Sequence, residues 1–170
     1  MGHFAVLFAK ALGAAKVIGL SRRQDKRASV LELGADEYIA SEDDKGWSAK
    51  YFRSMDLIIS TVSSTDMPID DYLRMLKPGS SFIQVGAPDK GNLPAPNVFT
   101  LLMNRIKLGG SNIGSPREIR EMLAFAAEKQ IKPWVELRPM SEANQAVKDF
   151  QAGKPRYRYV LCNPKDGNKA

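Results

Sequence analysis

Residues 1–27 read MGHFAVLFAKALGAAKVIGLSRRQDKR. Phe4, Leu7, Phe8, Ala11 and Leu12 recur at the i, i+3, i+4, i+7, i+8 spacing of one helix face, and Gly13 is placed to stop that helix. Lys16–Leu20 follows as a short strand-like run, after which the chain turns polar and basic at Ser21, Arg22 and Arg23. Helix, strand and basic turn in that order form the second half of a βαβ unit, the module from which parallel sheets are built.

The alternation continues. A second helical run carries Ala28, Val30, Leu31 and Leu33, with Gly34 available for its C-terminal turn. An extended piece is expected around Tyr38–Ile39, and a charged helical segment near Trp47–Phe52. Asp56–Ser60 (DLIIS) and Ser81–Val85 (SFIQV) read as buried strands, the second preceded by a turn at Lys77, Pro78 and Gly79. Gly86–Asn97, punctuated by Pro and Gly, reads as a surface loop. Ser115, Pro116 and Glu118 supply the N-cap, first turn and capping box of a helix whose stripe is Ile119, Met122, Leu123 and Ala126. Ser141 is expected to start a last helix with Ala143, Ala146, Val147 and Phe150 on one face, ended by Gly153. Tyr157–Leu161 closes the chain as a strand. The fold class is α/β, with a mostly parallel sheet expected to be covered on both faces.

With 170 residues, 44% apolar and 26% charged, the chain has the composition of one ordinary soluble domain. A single cysteine, Cys162, excludes an internal disulfide framework and fits a reducing compartment, so a cytoplasmic location is expected. No run approaches ~18 uninterrupted apolar residues, and the apolar first helix has neither a basic leader nor a cleavage site, so neither a membrane span nor a signal peptide is expected. The net charge of +6 suits an anionic partner: nucleic acid, a membrane surface or a phosphorylated cofactor.

Position narrows that choice. In a dinucleotide-binding unit an acidic residue ~20 positions after the glycine turn holds the ribose 2′-OH of NAD. Counting from Gly2, that place falls at Ser21, where the sequence offers Ser21, Arg22 and Arg23, with Lys26 and Arg27 just beyond. A carboxylate there would repel a 2′-phosphate, whereas a hydroxyl and a guanidinium can hydrogen-bond it. The turn therefore points to NADP. Read on charge alone, the same run also fits a solvated surface, a localisation signal or a nucleic-acid patch. The interleaved Glu42, Asp43 and Asp44, and the lack of a recognition motif, weaken the last of these.

GHFAVLFAKALGA, the SRR turn with ELGADEYI, MDLIISTVSS, LKPGSSFIQVGAP, LGGSNIGSPREIREML and KPWVELRPMSEANQAVKDFQAGKPRYRYVL occur in that order. Together they resemble the coenzyme domain of zinc-containing alcohol dehydrogenases, nearest the cinnamyl-alcohol-dehydrogenase-like, NADP-dependent branch. The likeness runs from residue 2 to about residue 163. It implies a Rossmann-like doubly wound parallel sheet lacking its first strand and most of a Gly-x-Gly-Gly-x-Gly-His loop, of which Gly2 and His3 remain. In the strand order 3-2-1-4-5-6 that first strand lies between Lys16–Leu20 and Asp56–Ser60. The resemblance also implies a cofactor domain over residues 1–140, and over 141–170 a helix and strand that return to a catalytic domain. A C-terminal half of such an enzyme is the expectation.

By the same resemblance Ser21, Arg22 and Lys26 match positions that hold the adenosine 2′-phosphate, with Arg23 adding charge. Gly2 matches the last glycine of the phosphate loop. Thr61, Val62 and Ser63 pass the adenosine and ribose, and Gly86, Ala87, Ser111 and Asn112 line the nicotinamide. Arg158 matches a phosphate contact, or else is a surface arginine between two buried tyrosines. His3 either approaches the phosphates or caps the helix, or lies on the surface, and Cys162 reads as a small buried strand residue. The family's zinc ligands lie upstream, so no metal is expected on this chain; a catalytic zinc needs three protein ligands. The implied reaction is hydride transfer between NADPH and an aldehyde or alcohol, and Val98–Ile113 is implied as a homodimer seam. A catalytically inactive NADP-binding or dimer-forming fragment, a zinc-free quinone-reductase relative and, less well supported, a basic nucleic-acid module are the alternatives.

Overall fold

Two left-handed glycines set the first corners. Gly13 (φ 84°) ends α1 (Gly2–Ala11) and Gly34 (φ 100°) ends α2 (Arg27–Glu32), a backbone conformation other residues rarely adopt. The computed structural model describes residues 1–88 and 90–163, so the tail of the 141–170 segment, residues 164–170, lies outside the described residues. Between those helices runs β1 (Ile18–Ser21), parallel to β2 (Glu37–Ala40). The strand starts two residues later than the sequence suggests, because Val17 is pinned from the side: its N–H donates to the Asp36 carboxylate at 2.7 Å.

After α3 (Trp47–Lys50) come β3 (Met55–Ser60), α4 (Ile69–Met75) and β4 (Leu76–Gln84). The expected turn at Lys77, Pro78 and Gly79 lies inside β4. Met55 pairs with Leu76 but Leu57 already pairs with Ser81, so the Pro-Gly segment bulges out of one long strand. Helix α4 was not anticipated, although Pro68 before it and Asp70 and Asp71 in its first turn are start signals. Next come α5 (Val98–Asn104), β5 (Lys107–Gly110) and α6 (Pro116–Glu128). The capping box of α6 is present, Ser115 N–H donating to Glu118 Oε2 at 2.7 Å; its bonds to Ser115 hold the Glu118 carboxyl below the usual range. Then β6 (Glu136–Pro139), also not anticipated, α7 (Ala143–Gln151) and β7 (Tyr159–Cys162) complete the chain. Ser141 falls in a 3-10 turn before α7 instead of capping it.

All strand pairs are parallel, yet they form three sheets: β1-β2, β3-β4-β5 and β6-β7. Among the described residues β1 pairs only with β2, and β3 only with β4. The α/β, Rossmann-like parallel arrangement is as expected; cover on both faces is not complete, since Leu57 and Ile59, on one face of β3, remain 52% and 46% exposed. The larger core joins Ile39, Trp47, Tyr72, Leu73, Leu76 and Phe82, with Ile18, Leu20 and Ile58 packed against it, so β1 and β3 share a core without sharing a ladder. A second cluster, Val6, Val17, Leu33 and Ala35, sits under α1; the buried residues of that helix are His3 and Val6, while Leu12 of the expected stripe is exposed. In the β6-β7 unit the Asp149 carboxylate accepts bonds from Lys154, Arg138 and Gln145, which hold its carboxyl down at about 2.

Candidate functional site

Open parallel sheets bind ligands beyond the carboxyl ends of their strands, because loops and helix N-termini converge there. Ser21 is the last residue of β1, and its carbonyl accepts the Ser41 N–H at 2.8 Å. The basic run after it is divided in two. Arg23 Nε pairs with Glu42 at 3.3 Å and Arg27 donates to the Gln24 side chain at 3.1 Å. Arg22 and Lys26 are exposed, and their side chains enter no hydrogen bond or ion pair among the described residues. Two cations are thus tied into the turn and two are open to solvent beside a hydroxyl.

At the second sheet the loops lock onto one another. A Cβ on Gly86 would lie 2.4 Å from the Val62 carbonyl oxygen, so only glycine lets the chain leaving β4 pass the chain leaving β3. Gln84 clasps the same crossing: its Nε2 donates to Val62 O at 2.8 Å and to Gly86 O at 2.6 Å, while its backbone carbonyl accepts the Ser111 N–H at 3.0 Å. Sequence reasoning passed over Gln84; its signal was a polar residue inside the apolar SFIQV strand. Gly2 sits against Thr61, whose hydroxyl is 3.5 Å from where a Cβ on Gly2 would stand. Gly2, Thr61, Val62, Gly86 and Ser111 are therefore neighbours, with Ser63, Ala87 and Asn112 on the same loops. The Ser21–Lys26 turn belongs to the other sheet and is strapped instead to residues 38–44.

His3 is buried, which removes the surface reading. Its ring stacks on Tyr157 at 5.0 Å, and among the described residues neither His3 Nε2 nor the Tyr157 hydroxyl has a hydrogen-bond partner. Burial first, and nearby positive charge after it, lower its basicity. Arg158 is exposed, between the half-buried Tyr157 and Tyr159 in the sequence. Cys162 is buried in β7. Among the described residues no group of three or more His, Cys, Asp or Glu side chains could hold a metal ion, and the residues present do not fit a zinc centre. No helix among them is long and apolar enough to cross a membrane. A cavity of about 580 Å³ lies behind the basic turn, lined by Arg27, Tyr38, Asp43, Asp44, Trp47 and Tyr51, and one of about 430 Å³ lies beside α4; neither is lined by Gly2, Ser21, Arg22, Lys26, Thr61, Gly86 or Ser111.

Residues 1–128 match a family described as zinc-binding dehydrogenase. Cinnamyl alcohol dehydrogenase 2 of Rauvolfia serpentina is 41% identical over 163 residues, which is 95% of this chain and 44% of that protein. A solved cinnamyl alcohol dehydrogenase of Sorghum bicolor superposes with a TM-score of 0.84 at 31% identity, covering 99% of this chain and 46% of that one. A cinnamyl alcohol dehydrogenase structure from Helicobacter pylori, complexed with NADP(H), gives 0.75 at 29% identity over 92% of this chain and 43% of that one. The chain spans less than half the length of these relatives.

Proposed function

Because the chain belongs to the zinc-binding dehydrogenase family, we propose that it is the coenzyme-binding part of an NADP-dependent alcohol dehydrogenase or aldehyde reductase. The observation that carries this reading is the pair of exposed cations without a partner among the described residues, Arg22 and Lys26, beside Ser21 at the carboxyl end of β1. That donor set fits a phosphate dianion and contains no carboxylate to receive a ribose 2′-OH. In this reading Gly2 and Arg158 serve the cofactor's pyrophosphate, Thr61, Val62 and Ser63 its ribose, and Gly86, Ala87, Ser111 and Asn112 the nicotinamide. When bound, the nicotinamide supplies or accepts the hydride; the residues of this chain bind and orient it. An aldehyde or alcohol is the proposed substrate of the whole enzyme. Residues 1–140 form the cofactor domain, and 141–170 the segment that returns toward a substrate domain.

The test uses two small probes. Calorimetric titration of the 170-residue chain with adenosine 2′,5′-bisphosphate is expected to give an affinity at least about tenfold above that for adenosine 5′-diphosphate, the size of one charge-assisted hydrogen bond. Equal affinities would reject the 2′-phosphate assignment.

The proposed partner is a second copy, paired through 98–113. Phe99, Leu102 and Met103 of α5 are 65–78% exposed and Ile113 is 86% exposed, an apolar patch beside the free edge of β5. The Ser111 N–H points to β4, so by strand alternation the N–H of Leu108 points away from it, to the free edge. Leu108→Pro removes that outward donor and leaves the β4 ladder whole. Light scattering is expected to show a dimer for the parent chain and a monomer for the variant; a monomeric parent refutes the seam.

A further inference from the structure

Four consecutive backbone groups of the phosphate turn are tied to one neighbouring segment. The carbonyls of Ser21 and Arg22 accept the N–H groups of Ser41 and Glu42, both at 2.8 Å. The carbonyl of Arg23 accepts the Tyr38 hydroxyl at 2.5 Å, and the N–H of Gln24 donates to Asp43 Oδ2 at 2.9 Å. Asp44 braces the arrangement from behind, accepting Gln24 Nε2 at 3.0 Å and the Ala40 N–H at 2.9 Å. The first two of these ties extend the β1-β2 ladder. The last two are made by side chains, and each holds a single backbone atom.

Tyr38 is 4% exposed, and its ring fills the space between β2 and the turn. A tyrosine buried to that extent needs a partner for its hydroxyl. Here that partner is the Arg23 carbonyl, in the peptide that joins Arg23 to Gln24. Asp43 and Asp44 are carboxylates beside a site read as binding an anion, which is unfavourable unless their charge is directed elsewhere. Asp43 spends it on the Gln24 N–H, at the start of the short 3-10 turn that carries Lys26. Arg23 is taken out of the ligand set by Glu42, so the turn presents Arg22 outward without a choice between neighbouring guanidinium groups.

From these contacts we infer that Tyr38 and Asp43 are positioning residues for 2′-phosphate recognition: by fixing Arg23 O and Gln24 N–H they hold the backbone that aims Ser21, Arg22 and Lys26. The inference rests on the assignment of that turn to the 2′-phosphate. Neither residue touches the cofactor in this account. Their contribution is preorganisation, which lowers the ordering cost of the phosphate-binding side chains and leaves the common part of the nucleotide untouched.

The experiment is the same pair of titrations on the full chain, applied to Tyr38→Phe, Asp43→Ala and Asp43→Asn, with the thermal midpoint of each measured alongside. Tyr38→Phe and Asp43→Ala are expected to lower the ratio of 2′,5′-bisphosphate to 5′-diphosphate affinity about fivefold, the worth of one ordinary hydrogen bond. Affinity for the 5′-diphosphate should stay within about twofold. Asp43→Asn keeps an acceptor oxygen and should retain the parent ratio. An unchanged ratio in both Tyr38→Phe and Asp43→Ala overturns the inference. Equal loss of both probes with a falling midpoint overturns it as well, since that is the signature of a merely structural bond. A parent chain that does not distinguish the probes refutes the 2′-phosphate assignment itself, and the inference with it; that failure is visible before any variant is made.

Discussion

Arg22→Asp is expected to weaken NADPH by about 10- to 100-fold while changing NADH by less than about threefold, in fluorescence titrations of each dinucleotide. A hydrogen bond to a charged group contributes ~1.5–3 kcal/mol, and ~1.4 kcal/mol is a factor of ten in binding. Replacing guanidinium with carboxylate removes that bond and adds repulsion toward a dianion. NADH carries no 2′-phosphate, and a carboxylate at this place can accept from its ribose hydroxyl, so its affinity should hold or rise. Arg23→Asp is the internal control. Arg23 is already engaged by Glu42 and points its charge there, so its replacement should separate the two cofactors far less. Equal loss of both dinucleotides in Arg22→Asp would remove this turn from cofactor selection.

Much of this is written in the sequence itself. The α6 start was legible because a capping box is written in adjacent residues, Ser115, Pro116 and Glu118, and needs nothing distant to form. The strands DLIIS and SFIQV were legible as short apolar runs, but their burial on both faces was not, since Leu57 and Ile59 stand exposed. The bulge at Pro78 and Gly79 was misread as a turn, since the same two residues serve either purpose and only the partner strand decides. The buried face of α1 was misjudged for a different reason. Periodicity favoured Phe4, Leu7 and Phe8, but Tyr157, far along the chain, stacks on His3 and draws that edge inward. At the candidate site the ligand-facing residues were legible by position, Ser21 and Arg22 at the end of a strand. The residues that hold the loops were not, because Gln84, Tyr38 and Asp43 act on backbone atoms of other segments, and no spacing in the sequence encodes those distances.

Hydrogen exchange measured by NMR on the 170-residue chain is expected to divide the parallel strands sharply. Strand alternation fixes which amides matter. The Ser41 N–H donates to Ser21 O, so Ser21 and Gly19 face β2, and the N–H groups of Ile18 and Leu20 point to the other edge of β1. The Val85 N–H donates to Ser60 O, so Ser60 and Ile58 face β4, and those of Leu57 and Ile59 point to the other edge of β3. No ladder meets either edge among the described residues. Phe82 and Ile83 of β4 have β5 on one side and β3 on the other. Each backbone group left unpaired under cover costs ~1–3 kcal/mol, against a total domain stability of ~5–15 kcal/mol, so several such groups bring local opening close to zero cost. Ile18, Leu20, Leu57 and Ile59 should therefore exchange at least about 100-fold faster than Phe82 and Ile83, a gap of two decades at ~1.4 kcal/mol each. The exposure of Leu57 and Ile59, apolar side chains on an edge strand, points the same way and makes this strand prone to association. Protection of all six amides to a similar degree would mean that both edges are covered in solution, and that the chain closes its sheets where no ladder is seen.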